Sequence, residues 1–374
     1  MRHVRLPFLL RGCGLTLLGT LASLGAVVPP RQPPPAQRLA AQRVVGSYEG
    51  TLAGAYRIRL QLGAQADTLT GQYYYLRTGR LLRLTGQVAP SGQITLRESV
   101  EPDTATTGWF QGRQQPNGAL VGTWRRATGG APQSFKLTRL VGTTLPANAR
   151  AQVRAKTYDH SFTIPVVTVP DAGVSKLLSR LFSLESLCGE TPASLRASLR
   201  EQQAEGVASG LQLLEYKVVY NRQGLLCITT QAEWKGASVW YDEHTQTVDL
   251  ATGFPLVVAD ELKPELVPAF LALGQQKLHR VTRAYVPTQE GFLQPNDVAG
   301  VLSQTFSLGS TEAYTLSATG LTCDHPISYD GMSNFVYKVL VGNFQVKFSQ
   351  AELARFLKPD SPLRRCLLKA PSQP

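Results

Sequence analysis

Between residues 44 and 142 the chain alternates apolar and polar side chains with a period of two and interrupts the alternation at glycine-rich turns, which restricts this stretch to antiparallel β-structure. Tyr56, Ile58, Leu60 and Leu62 alternate with Arg57, Arg59 and Gln61, the pattern of a strand with one face in a core and one in water. Further strands are expected over 69–76, 81–88, 93–100, 108–113, 119–125 and 134–140. Turn signals separate them at Gly79, Pro90-Ser91-Gly92, Pro116-Asn117-Gly118 and Gly129-Gly130. Glycine also recurs inside or beside the strands, at Gly50, Gly71, Gly86, Gly112 and Gly122. In-strand glycine marks bulges and sharp bends, as in a sheet that coils on itself. Roughly eight short strands so spaced make an all-β meander that closes into a small barrel or a strongly curved sheet.

From residue 151 the pattern changes. A strand interrupted by Pro165 precedes Val174, Leu177, Leu178, Leu181 and Phe182 at helical spacing, and Thr191-Pro192 opens a second helix with a cap residue and a proline. Strands follow at 213–220, 225–234 and 239–250, then a helix over 264–282. Residues 298–306 form a short helix or an extended segment; strands come near 313–316, 335–341 and 344–348, and a helix at 350–357. Strands and helices in separated runs indicate α+β architecture with an antiparallel sheet. The expected organisation is therefore α+β overall, a basic all-β domain at 44–142 and an α+β domain at 151–374.

The first residues point to export. Arg2, His3, Arg5 and Arg11 lead into the uncharged apolar run 14–28, which is shorter than the ~20 residues a bilayer span needs and suits a signal peptide (1–28). The mature form then has no membrane span, and Cys13 precedes the run, so no lipid anchor is expected. Residues 29–43 are a proline-rich spacer with three arginines and no acid. Cys188, Cys227, Cys323 and Cys366 remain, in a disulfide-permissive compartment. Their pairing is open, with buried free thiols the alternative for Cys227 and Cys323. With no C-x-x-C spacing, zinc or redox motifs are not indicated.

Charge is unevenly spread. Residues 44–142 hold 11 Lys+Arg against five Asp+Glu, while residues 143–374 hold 21 of each. Arginine forks match carboxylate and phosphate geometry, so Arg57, Arg59, Arg77, Arg80, Arg83, Arg125 and Arg126 are candidate anion-binding residues, with a solvated face as the plain alternative. In an exported protein their partner would be an anionic envelope polymer or an envelope protein; no nucleic-acid recognition motif is present.

For chemistry, three acid–histidine clusters stand out: Asp159-His160, Asp242-Glu243-His244 and Asp324-His325. Carboxylate and imidazole are the ingredients of a metal site or an acid–base pair. Neighbours in a strand point to opposite faces, however, so a site forms only where separate clusters meet in space. There is no G-x-S-x-G, H-E-x-x-H, P-loop or G-x-G-x-x-G, and no cofactor is expected.

Thr247-Val248-Asp249-Leu250-Ala251-Thr252-Gly253, followed by Asp260-Glu261-Leu262, resembles the D-L-x-T-G … D-x-L/F turn of the RsiV-like / PdaC-like extracytoplasmic bacterial domain family. That family includes a lysozyme-sensing anti-sigma ectodomain and an accessory region of a peptidoglycan deacetylase. Gly320-Leu321, Pro326, Tyr329, Gly342 and the helix from Glu352 to Leu357 fit its closing pattern, so the resemblance covers roughly 155–360. The family's glycine-rich stretch with histidine before the turn is reduced here to Gly236 and His244. The resemblance implies a non-catalytic binding domain; it does not carry over the anti-sigma role, which needs a cytoplasmic domain and a true span. The combined expectation is an exported, non-catalytic envelope binding protein, the alternative being an envelope hydrolase, metal-dependent through the acid–histidine clusters and acting on cell-wall glycan.

Overall fold

The computed structural model describes residues 43–367 apart from 66–67, 101–103, 141–144, 146–147, 207 and 309–313. The expected signal peptide and, Arg43 aside, the spacer lie outside the described residues. Eight strands, β1 (Gly46–Leu52), β2 (Tyr56–Gln65), β3 (Thr68–Tyr75), β4 (Leu81–Val88), β5 (Gln93–Ser99), β6 (Thr106–Gln114), β7 (Leu120–Arg126) and β8 (Gln133–Arg139), follow one another antiparallel. β8 pairs back onto β1, which closes the barrel. The period-2 alternation sends Tyr48, Ile58, Leu60, Tyr73, Leu84 and Phe110 inside, all fully or nearly fully buried. The in-strand glycines let the sheet coil this tightly. A Cβ at Gly86 would lie 1.9 Å from the Thr95 carbonyl oxygen and one at Gly50 2.0 Å from that of Lys136, closer than any side chain tolerates.

The second unit is built on a five-stranded sheet. β9 (Gln152–Tyr158) and β10 (Phe162–Thr168) form one hairpin; β11 (Gly210–Arg222), β12 (Leu225–Lys235) and β13 (Val239–Asp249) form a meander, in the order β13-β12-β11-β10-β9. The β10–β11 junction is parallel, through Phe162 and Leu214, so the sheet is mixed and not antiparallel throughout as expected. The reason lies between the two strands. Helices α1 (Ala172–Leu181), α2 (Leu184–Cys188) and α3 (Pro192–Glu205) form the crossover that a parallel connection requires. Asp171 caps α1, and Thr191 and Ser194 form a capping box on α3.

Beyond β13 come α4 (Val258–Glu261), α5 (Val267–Tyr285) and α6 (Pro295–Leu302), then β14 (Tyr314–Ser317), β15 (Gly320–Asp324), α7 (Asn334–Leu340), β16 (Gln345–Ser349) and α8 (Gln350–Phe356). β14, β15 and β16 form a separate antiparallel sheet, and Phe270 of α5 packs on Phe348 and Phe356 at ring separations of 4.5 and 5.3 Å. Residues 335–341, expected as a strand, are mostly α7. Phe335, Val336 and Tyr337 are a short run of β-branched and aromatic residues, as in a strand, yet Val336 and Leu340, four apart, are the buried pair, and Ser333 caps the Val336 amide. Cys188, Cys227, Cys323 and Cys366 are all free thiols. Cys227, Cys323 and Cys366 belong to the core of this unit, and burial pushes the Cys366 thiol up to about 11.

The two units meet along one outer wall of the barrel, and the D-L-x-T-G turn supplies much of the contact. Gly253 takes φ +81°, and Asp249 closes the turn by accepting from the Ala251 amide and the Thr252 hydroxyl. Arg365 pairs with the same carboxylate at 2.7 Å. The turn thereby presents its carbonyls outward to the barrel. Tyr74 donates to the Thr252 carbonyl oxygen at 2.8 Å, its ring edge-on to Phe254, and Arg59 Nη1 donates to that of Ala251. Tyr74, Leu177 and Phe254 form a small apolar cluster at this contact.

Candidate anion-binding cleft at the barrel mouth

Strands β1, β2, β3, β7 and β8 all begin or end at the same mouth of the barrel, and α1 lies beside it. An open cleft of about 1520 Å³ there is lined by Arg57, Arg77, Arg80 and Arg126 from the barrel and by Arg180 from α1. Tyr56, Tyr75 and Trp124 supply its aromatic surface. The alternation places Arg57 outward at the start of β2, Arg126 ends β7 in the phase of Trp124, and the turn after β3 carries Arg77 and Arg80.

The aromatic floor is fixed from inside the barrel. Glu98 is 3% exposed and accepts from three donors: Tyr73 at 2.5 Å, Thr107 at 2.5 Å and the Trp124 indole at 2.8 Å. Gly108 leaves the space this indole needs; a Cβ there would lie 2.5 Å from its nitrogen. The Tyr73 ring packs edge-on to Tyr75 at 5.6 Å, and Tyr75 in turn on Tyr56 at 6.3 Å. Burial and the Glu98 charge both push the Tyr73 phenol well up, so it stays a proton donor to the carboxylate. The mouth thus has rigid apolar faces beneath a ring of guanidinium groups.

Among the described residues one acid lines the cleft, Asp171, and it is already engaged. Its Oδ2 pairs with Arg59 at 2.9 Å and its Oδ1 caps α1 through the Gly173 and Val174 amides. Those amides and Arg59 outweigh its burial and hold its carboxyl below the usual range. Arg57 pairs with Glu49, and Arg180 Nε donates to the Thr78 carbonyl oxygen at 2.9 Å. Among the described residues no acid pairs with Arg77, Arg80 or Arg126.

The seven arginines singled out from the sequence therefore divide. Arg57, Arg77, Arg80 and Arg126 converge on the mouth. Arg59 does not belong to an exposed anion site: its side chain is 6% exposed and clamps Glu49 and Asp171. Arg83 faces the second unit and donates to Gln72 at 3.0 Å, and Arg125 stands outside the cleft opposite Trp109. Arg180 was not legible as a site residue, because only the packing of α1 against the β3–β4 turn brings it to the barrel; the aromatic residues at strand ends were legible in type but not in convergence.

The acid–histidine clusters do not meet as one site. Asp159 and His160 sit in the β9–β10 turn with φ +44° and +59°, at one edge of the five-stranded sheet, whereas Asp242 and His244 lie on β13 at the other. Asp324 and His325 belong to the small sheet and its exit. His325 is buried against the Phe306 ring, and burial lowers its pKa. Asp324 is pushed up by burial, with the Glu243 charge adding to it. Among the described residues no three His, Cys, Asp or Glu side chains are placed to hold a metal ion, and no helix is long and apolar enough to cross a membrane.

No protein-family model and no curated protein matches the chain. Two solved bacterial proteins of the DUF3298 family are similar in fold over part of it. One, from Pseudomonas aeruginosa PAO1, is 21% identical, with 58% of this chain and 97% of that chain covered and a TM-score of 0.35. The other, from Bacteroides fragilis NCTC 9343, is 14% identical, with 59% and 99% covered and a TM-score of 0.34. Similarity at this level assigns neither family membership nor a site.

Proposed function

We propose that this chain is an exported, non-catalytic envelope protein that holds a segment of an anionic glycan in the cleft at the barrel mouth. The observation that carries the reading is the convergence of Arg77, Arg80 and Arg126, with no acid partner among the described residues, over the Tyr75–Trp124 floor. Guanidinium forks fit carboxylate or phosphate, and fixed aromatic faces suit the apolar faces of sugar rings. The cleft is open and exceeds the roughly 300–1000 Å³ of small-molecule pockets, which favours a stretch of polymer. The resemblance of the second unit to extracytoplasmic binding domains agrees with this reading.

The test is titration of the full chain with polygalacturonate and with neutral pullulan in 0.1 M and 1 M NaCl. Polygalacturonate should bind at 0.1 M and fade at 1 M, where the Debye length falls from about 10 to about 3 Å. Arg80→Ala with Arg126→Ala should weaken it about tenfold, a loss of ~1.4 kcal/mol, and Arg125→Ala should leave it unchanged. Equal binding of pullulan, or an Arg125→Ala loss as large as that of the double variant, would overturn the reading.

A further inference from the structure

A second cavity, of about 1330 Å³, lies between the barrel wall and the second unit, beside the Tyr74–Thr252 contact. Its barrel side is made of two cross-strand rows. Gln61, Gln72, Arg83 and Ser99 are successive register partners across β2 to β5, and so are Gly63, Thr70, Thr85 and Arg97. All eight line the cavity, and none is apolar. Arg83 donates to Gln72 at 3.0 Å and Gln72 to Gln61 at 3.1 Å, which fixes the first row. The units touch at Tyr74 against Leu177 and Phe254, and also at the first row, where Gln72 donates to the Pro255 carbonyl oxygen at 3.5 Å. Four strands of outward polar side chains, touched among the described residues by the second unit only at Gln72 and Gly63 in these rows, leave polar groups of the wall free to meet a ligand.

The cavity is also polarised. Among the described residues its barrel side carries Arg83, Arg97 and Arg139 and no acid. The facing side carries Asp249, Asp260, Glu261 and Asp360 with Lys358, Arg364 and Arg365. Asp249 pairs with Arg365, while Arg364 keeps its charge and donates to the Ala354 and Leu357 carbonyls. Because carbonyls cancel no charge, the facing side holds four acids against three bases, one net negative charge opposite three arginines.

We propose that the interdomain cavity binds a short peptide with free termini, its carboxylate on Arg83 and Arg97 and its ammonium on Asp260 and Glu261. The volume accommodates more than a single amino acid, and each end of the peptide meets the opposite charge. Glu261 gives the site a signature. Burial pushes its carboxyl up to about 7, with Asp260 and Asp249 adding to the rise and Ser361 and Lys358 opposing it. An arriving ammonium favours the carboxylate, so binding near neutral pH releases a proton.

Calorimetric titration of the full chain with trialanine, N-acetyl-trialanine and trialanine amide, at pH 7 in two buffers of different ionisation enthalpy, tests this. Trialanine should bind at one site with proton release, and blocking either end should weaken it at least about tenfold, ~1.4 kcal/mol. Arg97→Ala should make acid and amide bind alike, and Glu261→Gln should abolish the proton release. Arg126→Ala at the barrel mouth should change none of this, which separates the site from the glycan cleft. No heat with millimolar trialanine, or blocked peptides that bind as tightly in the unaltered chain, would overturn the proposal without recourse to any variant.

Discussion

The wall of the barrel that faces the second unit and the mouth of the barrel are both rich in arginine, and they use it in opposite ways. On the wall, Arg59 is buried, shares Glu49 and Asp171, and fastens the D-L-x-T-G turn through the Ala251 carbonyl. At the mouth, Arg77, Arg80 and Arg126 are exposed over an aromatic floor. Two residues of one strand show the contrast most directly: the Arg57 side chain is 66% exposed and that of Arg59 6%. Both point out of the barrel and both reach Glu49. What separates them is the second unit, which covers one and leaves the other in water. A net charge summed over 44–142 treats the two alike; only packing decides which guanidinium is available to a ligand.

Arg59→Ala is the change that tests this contrast hardest. It leaves Glu49 and Asp171 without their buried partner and strips the Ala251 carbonyl of a donor, for an expected loss of about 3–5 kcal/mol. Arg126→Ala should alter stability by no more than about 0.5 kcal/mol, as an exposed substitution does. Denaturant melts of the two variants measure both. Similar losses in the two would erase the distinction between wall and mouth.

The barrel was legible because every level of its sequence agrees. Alternation gives strand and face, Asn117-Gly118 and Gly129-Gly130 give turns, and the in-strand glycines give the curvature that closure needs. The second unit was legible in its elements and less so in their connection. The parallel β10–β11 junction depends on where α1 to α3 pack, which no local pattern states. In α7 the β-branched and aromatic run Phe335-Val336-Tyr337 misled, because the pair that packs is four residues apart. Of the site, the residue types were visible but not their convergence. Arg59 and Arg57 share one outward phase and differ only in what lies opposite, while Arg125 and Arg126, neighbours on β7, take opposite phases.

Glu261 belongs to the covered side of the comparison and should reveal that cover through pH. Its folded pKa of about 7 lies above the ordinary 4.5, so the folded state holds a proton that the unfolded chain gives up between those values. Stability from this group is complete below pH 4.5 and is lost as pH rises through 7, by about 3 kcal/mol in all. Glu261→Gln keeps a neutral, hydrogen-bonding side chain at every pH. It should match the unaltered chain at pH 4 and exceed it by about 3 kcal/mol at pH 8. Melting curves that run parallel across this range would show that the carboxyl is hydrated, and that the wall side is less closed than its burial indicates.

The smallest effect is expected at the β9–β10 turn, remote from both faces of the barrel contrast and from the other histidines. His160 has φ +59°, a left-handed conformation that costs an ordinary side chain roughly 1 kcal/mol. Glycine relieves that cost but loses about 0.5–1 kcal/mol more conformational freedom on folding. The two terms nearly cancel, so His160→Gly should shift stability by less than about 0.5 kcal/mol. His160→Val should lower it by about 1 kcal/mol or more, since a β-branched residue tolerates this region poorly. Neither variant should change binding of polygalacturonate, because Asp159 and His160 sit in an exposed turn at the sheet edge opposite β13. If His160→Gly instead cost several kcal/mol, or released a bound metal ion, the imidazole would be a working ligand, and the acid–histidine clusters would return as the centre of the protein's chemistry.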